Sequence, residues 1–220
     1  MSGTRRSRPS TRKTYKGRHK FEHWYRDNQV YFITARCRGK FPAFASEAAK
    51  AVFWDRFEHY TKEYGFVPWV TSLMDNHYHT LGYLRVGANL GPMMQHIHGS
   101  VAKLVNDILE AQHRSEQPRL SGAAQLALND RGRLIPFWKQ GSHHDDYFDG
   151  CLRDDRQCRL AYRYTLIQAQ RHRIVTDYRL YPHTKVNIDL DRGVARALQL
   201  HAFLEGVPYK RYQGPRSTQR

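Results

Sequence analysis

Two apolar runs, Phe66 to Met74 and His77 to Leu84, are separated only by Asp75 and Asn76. Asn favours turns because its side chain hydrogen-bonds the nearby backbone and tolerates unusual φ angles, so the second run is expected to return along the first as an antiparallel hairpin. Pro68 cannot donate to a ladder and places the start of the first run at an edge or entry position. The chain is therefore committed to antiparallel β-structure around this turn.

The second run opens with His77-Tyr78-His79. Alternate residues of a strand share a face, so the two imidazoles project side by side while Tyr78 points the other way. Two neutral imidazoles are half of a metal site and need at least one more ligand from elsewhere. The plainer reading is a strand end bearing two polar residues, in a chain with 13 histidines.

Gln29 to Ala35 is β-branched and aromatic and reads as a buried strand. Ala49, Val52, Phe53, Phe57, Tyr60 and Tyr64 follow at helical spacing, with Ser46 as N-cap and Gly65 as stop. Leu90 to Ala111 carries a second apolar stripe, capped by Asn89 with Pro92 in its first turn, and its His96 and His98 are expected at the surface or facing DNA. Asp154 and Asp155 open a further helix that should run to about His172, and Asp191 to Leu204 suggests a last one.

Around this core, residues 1 to 24 read as a basic, flexible arm, 25 to 182 as the main domain with an irregular insertion near 115 to 135, and 183 to 220 as an extension with one helix and a basic tail. His143, His144, Asp145, Asp146 and Asp149 could suggest a second metal cluster. A polar loop leading to the Asp154 cap is preferred, because adjacent residues diverge in direction.

Charge narrows the function. The chain has 36 Lys and Arg against 20 Asp and Glu, a formal +16. That excess fits a polyanion binder, with nucleic acid ahead of a membrane surface, since no basic amphipathic helix or lipidation signal is found. Cys37, Cys151 and Cys158 form no disulfide or CxxC pattern, and no apolar run is long enough to span a membrane, so a cytoplasmic, nucleoid-associated protein is expected. Tyr25, Tyr31, Trp54, Trp69 and Trp138 could stack on bases but are more simply core.

Tyr164 and Gln168 are four residues apart on the Asp154 helix and share a face. Packed over the two histidines, that face would bring a nucleophile and a third ligand together. Tyr162 is the alternative tyrosine, and packing is the default role for either. A phenol is a poor nucleophile at neutral pH, and a cation beside a phosphate eases its attack.

His77-Tyr78-His79 with Tyr164 and Gln168 resembles the HUH endonucleases, specifically the REP-associated tyrosine transposases and related single-strand transposases. Met74-Asp75-Asn76-His77-Tyr78-His79 is similar to the family's Met-Pro-Asn-His-Val-His. The Met94 to Ala102 helix, Phe137-Trp138-Lys139-Gln140 and Tyr147-Phe148-Asp149 also resemble family segments in the expected order. The resemblance implies an α+β fold, a ferredoxin-like antiparallel sheet backed by helices, and Mg²⁺ or Mn²⁺ held by His77, His79 and Gln168. It also implies Tyr164 as the nucleophile that forms a 5′-phosphotyrosine with hairpin-bearing single-stranded DNA, and it leaves a homodimer open. Asp75 departs from the family's proline, Tyr78 from its aliphatic residue, and Gln168-Ala169-Gln170 from its Asn-Pro-Val. A non-catalytic nucleic-acid binder and a water-using phosphodiesterase remain as alternatives.

Overall fold

The structure, a computed structural model, describes residues 26–115, 137–138 and 147–203. The basic arm, nearly all of the insertion, His143 to Asp146 and the C-terminal tail lie outside these residues.

Strand β1 (Gln29–Arg36) leads to helix α1 (Glu47–Tyr64), then to the hairpin of β2 (Phe66–Met74) and β3 (His77–Leu84). Helix α2 (Leu90–Ser115), strand β4 (Tyr147–Cys151) and helix α3 (Asp155–Leu166) follow. A short helix α4 (Gln168–Arg171), strand β5 (Thr184–Val186) and helix α5 (Leu190–Gln199) complete the order. The strands form one antiparallel sheet in the order β4-β1-β3-β2-β5. The first four, with α1 and α2 as crossovers, make the ferredoxin-like βαββαβ arrangement, and β5 extends it beyond β2.

Helix α1 begins and ends where its residue chemistry dictates. Ser46 Oγ accepts from the Ala49 amide at 3.2 Å, and Gly65 closes the helix at φ 73°, where an L side chain would be strained. Its buried Phe53 and Phe57 pack with Leu90, Met93, Met94 and Ile97 of α2 over Tyr31, Ile33, Ala35, Leu73 and Tyr78 of the sheet. Asn89 does not cap α2 through its side chain. It lies in a short 3-10 turn and its Nδ2 donates to the Tyr64 carbonyl, tying the end of α1 to the start of α2.

The opposite face carries a second core of Val30, Val70 and Leu81 under Cys158, Tyr162, Val194 and Ala197. Helix α5 sits close enough that a Cβ at Gly193 would come within 2.8 Å of the Trp69 ring. Residues beyond 182, where the sequence suggested an extension, thus supply both a strand and a helix to the same body. Among the described residues no helix is long and apolar enough to cross a membrane.

Other elements also differ from the sequence expectation. Tyr147 to Cys151 is a strand rather than a polar loop, because β1 offers a free edge and Ile33 pairs Asp149 across it. Asp149, the last member of the acidic cluster, is buried there. The helix expected to run to His172 breaks at Ile167 (φ −93°, ψ 14°), dividing it into α3 and α4. The final helix ends at Gln199, short of the expected residue 204.

Candidate active site

The site is built on the central strand. β3 lies between β1 and β2, with His79 opposite Thr34 and Ser72, and His77 opposite Arg36 and Met74. Period-two alternation sends His77 and His79 toward the α3 face and Tyr78 toward α1. The imidazoles are nearly buried and their rings stand 5.1 Å apart at 81°.

Each ring is fixed from behind through Nδ1. His77 Nδ1 is 2.6 Å from Asn76 Oδ1, and His79 Nδ1 is 2.7 Å from Thr34 Oγ1. Phe32, two residues along β1 from Thr34, stacks parallel to His79 at 5.8 Å. Burial, then the neighbouring His172 and Arg36 charges, push His77 down to about 4. Burial, then His77, Arg36, His172 and Arg171, push His79 down to about 3. Both imidazoles are therefore neutral near pH 7, the form that donates an electron pair.

Helices α3 and α4 bring the other half. The Tyr164 ring stands edge-on to His79 at 5.1 Å and to Phe32 at 6.1 Å, with the Arg171 guanidinium 4.8 Å from its centroid. Tyr162 faces inward instead, buried in the second core with its hydroxyl donating to the Ile188 carbonyl at 3.0 Å.

Gln168 is 1% exposed, so both ends of its amide need partners. Its Nε2 donates to the Tyr164 carbonyl at 2.7 Å, one of the carbonyls left open where α3 ends. The Gln168 side chain acts on His77 against the burial and the neighbouring charges, raising its value. His77, His79, Tyr164 and Gln168 are thus brought into one place despite the helix break.

Among the described residues no group of three or more His, Cys, Asp and Glu side chains forms a metal cluster. A cation here would depend on the Gln168 carboxamide beside the two imidazoles. Two neutral nitrogen donors beside a buried carboxamide are a donor set that a divalent ion could use.

The fold has a solved counterpart. The chain is similar to the structure of a REP-associated tyrosine transposase bound to a REP hairpin, with a TM-score of 0.57 and 12% identity. The match covers 80% of this chain and 88% of that transposase. At such identity the likeness is one of fold. No family profile matches this chain, and no curated protein matches it.

Several neighbours of the site were not singled out from the sequence. The His172 ring lies 5.0 Å from that of His77, and its position four residues after Gln168 is a helical-face signal that was there to be read. Thr34, Phe32 and Arg36 reach the site through strand register, which no local pattern announces. His98, expected at the surface, is buried: its Nε2 meets the Tyr78 hydroxyl at 3.0 Å and its ring stacks on Trp138 at 4.2 Å. The apolar stripe of α2 carries it inward. His96 does lie outside the core, bonded to the Tyr64 hydroxyl at 2.7 Å. Tyr31, Trp54, Trp69 and Trp138 are core residues, and Tyr25 lies outside the described residues.

Proposed function

We propose that this protein is a metal-dependent DNA strand-cleaving and strand-joining enzyme of the single-strand transposase type. The observation that carries the reading is the meeting of Tyr164 with His79, 5.1 Å between rings, on a fold shared with a REP-associated tyrosine transposase. A chain of formal charge +16 suits a DNA substrate, and the neighbour's bound hairpin suggests its class.

In this reading Tyr164 Oη attacks a phosphorus atom, forming a 5′-phosphotyrosine as the bond to the 3′-oxygen breaks. The phenol proton goes to solvent and the departing 3′-oxygen is protonated to a hydroxyl. A later 3′-hydroxyl reverses the step and rejoins the strand, so the energy of the phosphodiester is retained. His77, His79 and Gln168 would hold Mg²⁺ or Mn²⁺, which supplies charge stabilisation at the phosphate oxygens. Arg171, against the Tyr164 ring, adds a cation beside the nucleophile.

Incubation with Mn²⁺ and a labelled single-stranded hairpin DNA tests this. A denaturation-resistant adduct should form with the wild type and vanish with Tyr164→Phe; an equal adduct with that variant rules the assignment out. The formal charge of +16, which suits DNA binding with or without a metal site, favours a second reading, a nucleic-acid-binding relative without chemistry. It predicts DNA binding with no adduct and no response to His77→Ala.

A further inference from the structure

The two imidazoles are held by partners of different kinds. Asn76 stands in the turn before β3, and its Nδ2 donates to the Lys40 carbonyl at 3.1 Å. A carbonyl only accepts, so the amide takes one of its two orientations, Nδ2 toward Lys40 and Oδ1 toward His77. That Oδ1 lies 2.6 Å from His77 Nδ1. An amide oxygen is also only an acceptor, and two bare acceptors at that separation repel, so Nδ1 carries the proton. A neutral imidazole has only one, and Nε2 therefore keeps its lone pair.

Asn76 does not depend on the ring it orients. Its own carbonyl accepts from the Cys37 amide at 2.7 Å, and the Asp75 carbonyl accepts from the Phe44 amide at 2.8 Å. Lys50, its side chain only 9% exposed, reaches Asp75 Oδ1 at 3.4 Å. Asp75, where the similar family motif has proline, thereby fastens the turn to α1. Thr34 does less for His79, because a hydroxyl can donate or accept and holds the ring in place without choosing its tautomer.

We propose that Asn76 is a positioning residue: anchored on the Lys40 carbonyl, it locks His77 in the Nδ1–H tautomer and so keeps Nε2 as a ready donor for a divalent cation. The cation part rests on the metal-site reading given above. The lock itself is a property of the metal-free chain.

Imidazole nitrogen NMR of the full-length, metal-free protein near neutral pH, followed by titration with Mn²⁺ alone, separates the two. Wild type should show His77 protonated at Nδ1. Asn76→Leu, which removes the acceptor, should shift His77 toward the Nε2–H form and weaken Mn²⁺ binding by about 10- to 100-fold, the usual range for a partner behind a ligand. Asn76→Asp keeps an acceptor at His77 but turns an oxygen to the Lys40 carbonyl, so it should retain the Nδ1–H form while losing that anchor. Thr34→Val should leave the His77 tautomer unchanged. Wild-type His77 protonated at Nε2, or an Nδ1–H form that persists in Asn76→Leu, overturns the proposal. Should Asn76→Leu fail to fold, the wild-type and Asn76→Asp spectra still decide it. Tautomers as expected with no Mn²⁺ binding, even by the wild type, uphold the lock and overturn the metal reading.

Discussion

β3 meets two different environments one residue apart. Tyr78 enters a closed aromatic face, fully buried, with its ring 4.9 Å from Phe53 and 5.9 Å from Trp138 and its hydroxyl on His98. His77 and His79 enter a face whose cover is partial: Tyr164 is 36% exposed, and Arg171 and His172 beside it are exposed too. On the closed face polar groups end on one another, as when the Trp138 indole donates to the His98 carbonyl at 3.0 Å. On the open face the two imidazoles are fixed from behind, and the partly exposed Tyr164 stands edge-on to His79. One strand can therefore carry both an anchor and the candidate site, because its pleat keeps the two on opposite sides.

Breaking the closed face should cost the most stability. Tyr78→Ala removes a buried ring and should lower unfolding free energy by about 3–5 kcal/mol, read from the denaturant midpoint. A loss near zero would show that this face is not the anchor.

Acid should act next, and through the open face. The lowered His77 and His79 values mean that the unfolded chain binds more protons between about 6.5 and 3. Stability should therefore be full above about pH 6.5 and fall as pH drops through that window. His79→Asn should flatten the pH dependence of the melting temperature; an unchanged slope would place the acid sensitivity elsewhere.

Tyr78→Phe keeps the ring and loses the hydroxyl contact with His98, for about 1 kcal/mol by the same denaturant measurement. Tyr164→Phe should change stability least, within about 0.5 kcal/mol, since that hydroxyl belongs to no core. Yet it should abolish the DNA adduct. The contrast fails if the two substitutions trade places, with Tyr78→Phe silent in stability and Tyr164→Phe strongly destabilising.

The sequence was most informative where a local rule and the tertiary need agree. The β2 and β3 bounds follow from the apolar runs around Asn76, and both ends of α1 from Ser46 and Gly65. It was least informative where neighbours decide. Asp149-Gly150 reads as loop, yet it pairs with β1 because an unpaired edge of the sheet is there to receive it. The break at Ile167 has no Gly or Pro to announce it. Within the candidate site, the His77/His79 pair and the Tyr164/Gln168 pair were each legible as spacings. Their approach depends on how α3 docks, and the Thr34 and His172 contacts on register and on that same docking.

β5 covers only three residues of β2, from Val70 to Ser72, yet these lie in the strand next to the two histidines. A chain shortened to end at Pro182 would keep every candidate catalytic residue but lose this cover together with α5's part of the second core. The bared hydrogen-bonding edge of β2 would then be a template for another copy of the chain, so such a fragment should tend to self-associate even where its chemistry is intact.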